Sequence, residues 1–500
     1  MSVDITGKDM TVEAVLAIAR DGRHAVLSAG ARRAVESCHD FLRSLMEKGH
    51  PIYGVTTGFG ALAGSGVSAE DNVAAQRNIL RSHAAGVGEP MSVEAVRAMM
   101  ALRANVLATG MVGVRPVTLD ALIAMLNAGV VPYVPERGSV GACGDLAPLS
   151  HMALPLIPDG RAFYEGELLP GVVAMRRAGI EPPGVADRDG LALNNGTEQT
   201  TAVACLAVTD TGRLLAAAEA AAAMALEALG AVSDSFDERV ALAKPHPGQV
   251  ETSRRLRDLT RDSELVLPPG PGHLRDALSL RCIPQVIGAA RDTWTMAKRT
   301  LELEINAAND NPIFDVSGGW VTSNSGNFHG QRVGEVCDFL ATSLTSVAVI
   351  SERRSAKLLD DHHNNGLPKF LVHPKAKPGV NNGFMIPQYT AASLIAELRK
   401  RAAPATIQSV SVGLDTEDHV PMAPIAAHHL AWVVDTVETV VAIELLLACQ
   451  ALDLRDRKPG PRVGTLRDII RDRVPVMVED RIIAGDIAAV KELVQRGDVA

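Results

Sequence analysis

Apolar positions recur at helical spacing along most of this chain. Over 11–48 they predict two amphipathic helices, with Val15, Leu16, Ile18 and Ala19 on one apolar side. A Gly-rich loop follows, Tyr53-Gly54-Val55-Thr56-Thr57-Gly58-Phe59-Gly60. Helical patterns resume at about 70–86, 91–109 and 117–128, and Pro132, Pro135 and Gly138 then break the chain. Residues 158–170, with Pro-Asp-Gly and Tyr-Glu-Gly-Glu, predict a short hairpin, and 193–197 a loop. From about 198 the pattern changes to long Ala/Leu-rich helices over 198–231, 283–308, 327–358, 388–403 and 423–452. Helices of this length with few strands between them predict a mostly α fold. The expected form is an elongated bundle of long antiparallel helices with a smaller, loop-rich N-terminal portion. The expected division is a helical and loop-rich region over 1–200 and a long-helix bundle with its C-terminal tail over 201–500. Pro245, Pro247, Pro268, Pro269 and Pro271 make 233–282 a long connection, of a length that is often functional. The tail 475–498 predicts two short helices.

Composition narrows the function. Of 500 residues 47% are hydrophobic and only 3% aromatic, so Ala, Leu, Val and Ile must build the core, which suits close-packed helices. The net charge is −9 and no Lys/Arg run stands out, which argues against a nucleic-acid partner. Cys38, Cys143, Cys205, Cys282, Cys337 and Cys449 form no CxxC pair. They fit buried free thiols in a reducing cytoplasm better than a disulfide framework or a zinc site. His362-His363-Asn364-Asn365 lacks carboxylate spacing and reads as loop polar groups or a contact between subunits; no metal is expected. The polar N-terminus, with Asp4, Lys8 and Asp9, lacks a signal-peptide core. The apolar stretches near 214–230 and 432–449 are interrupted by Glu219, Glu227, Asp435, Glu438 and Glu444, so they read as core helices and no membrane partner is expected.

The most informative segment is Gly138-Ser139-Val140-Gly141-Ala142-Cys143-Gly144-Asp145-Leu146-Ala147-Pro148-Leu149-Ser150-His151. Its central tripeptide can cyclise on itself. The Gly144 amide nitrogen attacks the Ala142 carbonyl, an approach that glycine alone permits. Loss of water and then of the Cys143 side-chain leaving group gives a ring with an exocyclic methylidene. That ring is an electrophile which no ordinary side chain supplies.

This block resembles the signature of the aromatic amino-acid ammonia-lyases, which carry Ala-Ser-Gly where this chain has Ala142-Cys143-Gly144. The resemblance runs from about residue 10 to the tail. It implies a 4-methylidene-imidazol-5-one formed from the tripeptide, and a homotetramer whose active sites are built by more than one subunit. The chemistry explains the demands on the site. An amine leaves poorly, so an electrophile must capture it. A β-proton is barely acidic, so a base must sit at the β-carbon. The substrate carboxylate wants a bidentate cation, which means arginine. By resemblance Tyr53 is the β-proton base. Asn195, in Leu-Asn-Asn-Gly-Thr, supports the ring, and Arg281 binds the carboxylate. Asn306, Asp310, Asn311 and Pro312 match an Asn-x-x-x-Asp-Asn-Pro stretch. Phe328 and His329 match Gly-Asn-Phe-His, Gln388 a Gln-Tyr-Thr helix start, and Glu417 to His419 a Glu-Asp-His block. The glutamate of that block lies in the pocket of the histidine-specific members. Ser82 and His83, in Arg-Ser-His-Ala-Ala-Gly, look like the residues that face an imidazole in histidine ammonia-lyases, the closest members.

The chain departs from the family at Cys143 and again at Arg275-Asp276-Ala277-Leu278-Ser279-Leu280-Arg281. The family reads Gln-Asp-Pro-Tyr-Ser-Leu-Arg there. Leu278 replaces a catalytic tyrosine, and Arg275 adds a cation that can face an anionic group. His273, in the same loop, is a candidate substitute in proton transfer. The implied reaction is loss of the α-amino group and β-proton of a histidine-like amino acid as ammonia, giving a urocanate-like arylacrylate. The alternatives are an aminomutase with the same ring, a ring-free, ergothionase-like lyase expelling a quaternary amine, and an inactive binding scaffold.

Overall fold

The computed structural model describes residues 2–270, 275–377 and 379–500; Pro271 and His273 lie outside them. The chain is mostly helical, as the periodicity predicts. It forms two compact units. One comprises Met1–Leu206, Lys298–Cys337 and Pro404–His428, the other Ala207–Ala297, Asp338–Ala403 and His429–Ala500.

The first unit is built round the helix Val93–Leu107. Its Ser92 cap accepts from the Ala95 amide, and Ala98, Met99, Met100 and Ala101 are wholly buried. Helices Val12–Ala19 and Pro116–Asn127 pack on it. Pro116 sits in the first turn, where its missing N–H costs nothing. Strands are short. Val3–Ile5 pairs in parallel with Ala25–Leu27 across the helix Val12–Ala19. Arg161–Tyr164 and Glu167–Pro170 form the hairpin expected over 158–170. Cys38, Leu42, Ile52, Val55 and Phe314 make an apolar cluster that anchors the start of the Gly-rich loop.

The long helices are Glu198–Leu229, Ile283–Glu304, Gln331–Leu359, Met385–Arg401 and Ala423–Asp453. In the second unit Ala217, Ala218, Ala221, Ala222, Ala223 and Ala225 are fully buried, because alanine favours the helix and fills little space between close neighbours. The acidic residues that interrupt these apolar runs are mostly buried and paired. Glu219 accepts from Arg291 Nε and Nη2, both at 2.6 Å, from Thr252 Oγ1 at 2.9 Å, and from Arg255. Glu444 accepts from Arg354 Nη2 at 2.7 Å, and Glu438 from Gln495 at 2.8 Å. Two helices, Glu198–Leu229 and Gln331–Leu359, are long and apolar enough to cross a bilayer. Their most apolar windows are 72% and 67% buried, as core helices require.

Two expectations are corrected. The stretch 233–282 holds the helices Glu238–Ala243, Pro247–Leu259 and Leu278–Arg281. Pro247 opens a helix there instead of breaking one, since proline is favoured in a first helical turn. The tail holds one helix, Ile483–Arg496. The helix before it, Pro461–Arg471, ends ahead of Pro475.

Candidate active site

The tripeptide sits in a turn that glycine makes possible. Gly141 and Gly144 have φ of +75° and +74°, the left-handed region that a Cβ disfavours. A Cβ on Gly144 would lie 2.1 Å from the Gly196 oxygen, so the two loops touch backbone to backbone. Asp145 fastens both flanks. Its amide donates to Gly196 O at 2.6 Å, and its carboxylate accepts from Thr200 N at 2.7 Å and from Ser139 Oγ at 3.3 Å. Burial pushes this carboxyl up to about 6, against the pull of those donors. Gly144→Ala is therefore expected to destabilise the protein by about 2–4 kcal/mol, left-handed strain and overpacking together. Urea unfolding of the two proteins measures the difference.

Tyr53, His83, Ala142, Cys143, Asn195, Phe328 and Glu417 line one cavity of about 430 Å³ in the first unit. Tyr53 Oη accepts from the Gly60 amide at 2.8 Å, and its ring stands edge-on to Phe59. Burial is the main cause that raises the Tyr53 phenol above its ordinary value. The Cys143 thiol donates to Glu417 Oε1 at 2.7 Å. Burial first, and that neighbouring carboxylate second, raise the thiol far above its ordinary value, so it stays protonated. Asn195 Nδ2 donates to Cys143 O at 3.0 Å, while its Oδ1 accepts from the Asn311 amide at 2.8 Å. Asn195 thus grips the tripeptide at one end and the 310–312 turn at the other.

Ser82 does not line the cavity; it hydrogen-bonds to the histidine that does. Its hydroxyl lies 3.2 Å from Ile79 O and 3.0 Å from Nδ1 of His83. Burial lowers the pKa of the His83 ring, which favours its neutral form.

Asn311, His329, Asp418 and His419 also line the cavity; each lies in a matched block but carried no assigned role in the sequence. The two imidazoles stack with centroids 5.4 Å apart and Nδ1 of His419 3.3 Å from Nε2 of His329. Burial, and then the His419 charge, depress His329. Nothing but motif membership marked the two histidines in the sequence.

Arg275, Arg281 and Gln388 belong to the second unit and none lines the cavity. Gln388 Nε2 donates to Glu352 Oε1 at 2.6 Å. Arg281 ends the short helix Leu278–Arg281, and its buried Nε has no hydrogen-bond partner among the described residues. Arg275 is exposed, as is Leu278. In the same unit His363 pairs with Asp360 at 2.7 Å. The ligand atoms of Asp360, Asp361 and His362 lie within 4.8 Å of one another at the surface.

The tripeptide's surroundings suit an internal cyclisation. Ala142 and Gly144 pair as a backbone bridge across the one residue between them, and Asn195 holds the carbonyl of that residue. A side chain at position 144 would collide with the Gly196 backbone.

Known proteins resemble this chain over its whole length. Histidine ammonia-lyase from Caldanaerobacter subterraneus subsp. tengcongensis is 44% identical, the match covering 99% of this chain and 97% of that protein. The solved tyrosine aminomutase from Streptomyces globisporus is 35% identical at a TM-score of 0.95, covering 100% and 98%. The ergothioneine-degrading ergothionase from Treponema denticola is 28% identical at a TM-score of 0.93, covering 100% and 99%. The model of the family described as aromatic amino acid lyase matches residues 10–472. The chain belongs to the aromatic amino acid lyase family and is a carbon–nitrogen lyase.

Proposed function

We propose that this protein eliminates ammonia from a histidine-like aromatic amino acid, giving an arylacrylate. One observation carries the reading: a phenol, a neutral imidazole, a carboxylate and the tripeptide face a single cavity of amino-acid size. The identity to proteins named histidine ammonia-lyase supports it. A 4-methylidene-imidazol-5-one formed from Ala142-Cys143-Gly144 would supply the electrophile that captures the substrate amine. Tyr53 takes the β-proton. His83 offers Nε2 to an imidazole N–H, and Glu417 offers a carboxylate oxygen to the ring or the amine. Phe328 packs on the substrate. Asn195 holds the tripeptide carbonyl. Arg281 is the carboxylate-binding cation, with Gln388 and Arg275 beside the substrate. In this reading those three residues serve the cavity of another copy within a cytoplasmic homotetramer.

Tyrosine aminomutase shares the fold, so a shift of the amine to the β-carbon is the nearest variant of this chemistry. The thiol at 143 and leucine at 278 favour a second reading, a ring-free expulsion of a quaternary amine, which leaves without capture.

Intact mass with an activity assay tests these readings. The expected protein is lighter than its encoded chain by one water and one hydrogen sulfide, and converts L-histidine to an absorbing acrylate. A β-amino acid product would replace the lyase by the aminomutase. An unmodified mass with turnover of a betaine would overturn the ring reading in favour of the ring-free one.

A further inference from the structure

Beneath the tripeptide lie four charged side chains that the reaction above does not use. Arg103, Arg188 and Asp310 are wholly buried and Glu198 nearly so. Arg103 projects from the helix Val93–Leu107 and donates in four directions. Nε reaches Ala192 O at 2.8 Å, Nη1 reaches Asn195 O at 2.9 Å and Glu198 Oε1 at 2.7 Å, and Nη2 reaches Asp310 Oδ2 at 3.1 Å. Arg188 completes the set through Asp310 Oδ1 at 2.7 Å and Asn311 O at 2.8 Å.

Stability alone does not account for this group. Desolvating a buried ion costs several kcal/mol, and packed apolar residues often replace such sets without loss. Planar, multidentate placement is what a guanidinium supplies and an apolar side chain does not. Its placement here is specific. A Cβ on Gly196 would meet Arg103 Nη1 at 2.4 Å, and one on Gly144 would meet Gly196 O at 2.1 Å. The Gly196 backbone is thus held between the Arg103 guanidinium on one side and Gly144 on the other.

We propose that Arg103 is a positioning residue for cyclisation of the tripeptide. Neutralised by Glu198 and Asp310, it holds Asn195–Gly196 against Gly144, so that the Gly144 nitrogen bears on the Ala142 carbonyl carbon. This rests on the cyclisation reading above. The step joins that nitrogen to that carbon while the nitrogen's proton passes to the carbonyl oxygen. The hydroxyl leaves as water with the Cys143 amide proton, forming a C=N bond. The Cys143 Cα proton and the thiol then leave as hydrogen sulfide.

Arg103→Lys keeps the buried positive charge but cannot make four bonds in one plane. The full chain and this variant are followed by intact mass at intervals after synthesis, with thermal unfolding recorded on the same samples. The parent is expected to lose water and hydrogen sulfide, and folded Arg103→Lys to do so about 10²-fold more slowly, the usual effect of misplacing reacting atoms by about 1 Å. A purely structural role would lower Tm and leave the mass loss of folded chains unchanged; that result overturns the proposal. Glu198→Gln, which leaves Arg103 in place with a weaker partner, gives the second test and is expected to fall between the two. The same series on Cys143→Ser, where the ring forms by loss of two waters, separates the readings. If neither parent loses mass, cyclisation itself fails. If a parent cyclises and its Arg103→Lys variant keeps pace, only the role of Arg103 fails.

Discussion

Cys143→Ala is expected to lower turnover about 10⁴-fold or more and to leave the chain at its encoded mass. Alanine has no leaving group on Cβ, so no methylidene can form however well Gly144 approaches Ala142. The amine of the substrate would then have to depart as a poor leaving group from an uncaptured carbon. The fold should hardly notice. The thiol makes a single hydrogen bond, to Glu417, and its loss leaves a smaller side chain in a cavity already open to ligand. Cys143→Ser is the control, since a hydroxyl eliminates as water. Steady-state rates on L-histidine with intact masses of all three proteins decide the matter. An alanine variant as fast as its parent would remove the tripeptide from the mechanism.

Tyr53→Phe is expected to lower kcat about 10²- to 10⁴-fold, the range for losing a positioned base, with little change in KM. The ring and its edge-on contact with Phe59 remain; only the oxygen that accepts from Gly60 is lost. The pH profile sharpens the test. A base must be deprotonated to act, and burial raises the Tyr53 phenol above its ordinary value near 10. Below that value each pH unit multiplies the phenolate fraction about tenfold. The parent's kcat should therefore climb with pH across 7–9, and the phenylalanine variant should lose that limb. An unchanged slope in the variant would assign the proton to another group, with the His329–His419 pair next in reach of the cavity.

Helical periodicity made most of the long helices legible to within a few residues, because one apolar face repeats over many turns. The ends were harder. Proline opens the helix Pro247–Leu259, and the same residue type elsewhere breaks the chain; which occurs depends on tertiary packing that local pattern does not contain. The tripeptide was legible for a chemical reason, since few sequences place a leaving group between a small residue and a glycine. Its neighbours were legible only through motifs. Cys143 meets Glu417 across 274 positions, and no spacing rule spans that distance. The Ser82–His83 contact was within reach, because the two are neighbours in the chain, but the Ile79 carbonyl beside them appears only in three dimensions. Of the buried Arg103 set only Asp310 stood in a matched motif, and nothing marked the arginines. An arginine in an apolar helix looks the same in sequence whether it faces water or a partner.

The contact between Asn195 and Cys143 has a consequence in time. A ribosome makes Cys143 before the asparagine 52 residues further on, and Glu417 comes 274 residues after the cysteine. At the usual pace of about 5–20 residues per second, tens of seconds separate the thiol's birth from its last neighbour's. Throughout that interval the thiol is unguarded by the groups that later surround it. Nascent chains halted before 195 and after 417 should thus differ in how readily an alkylating reagent marks this one cysteine, which makes it a natural clock for the order in which the fold closes.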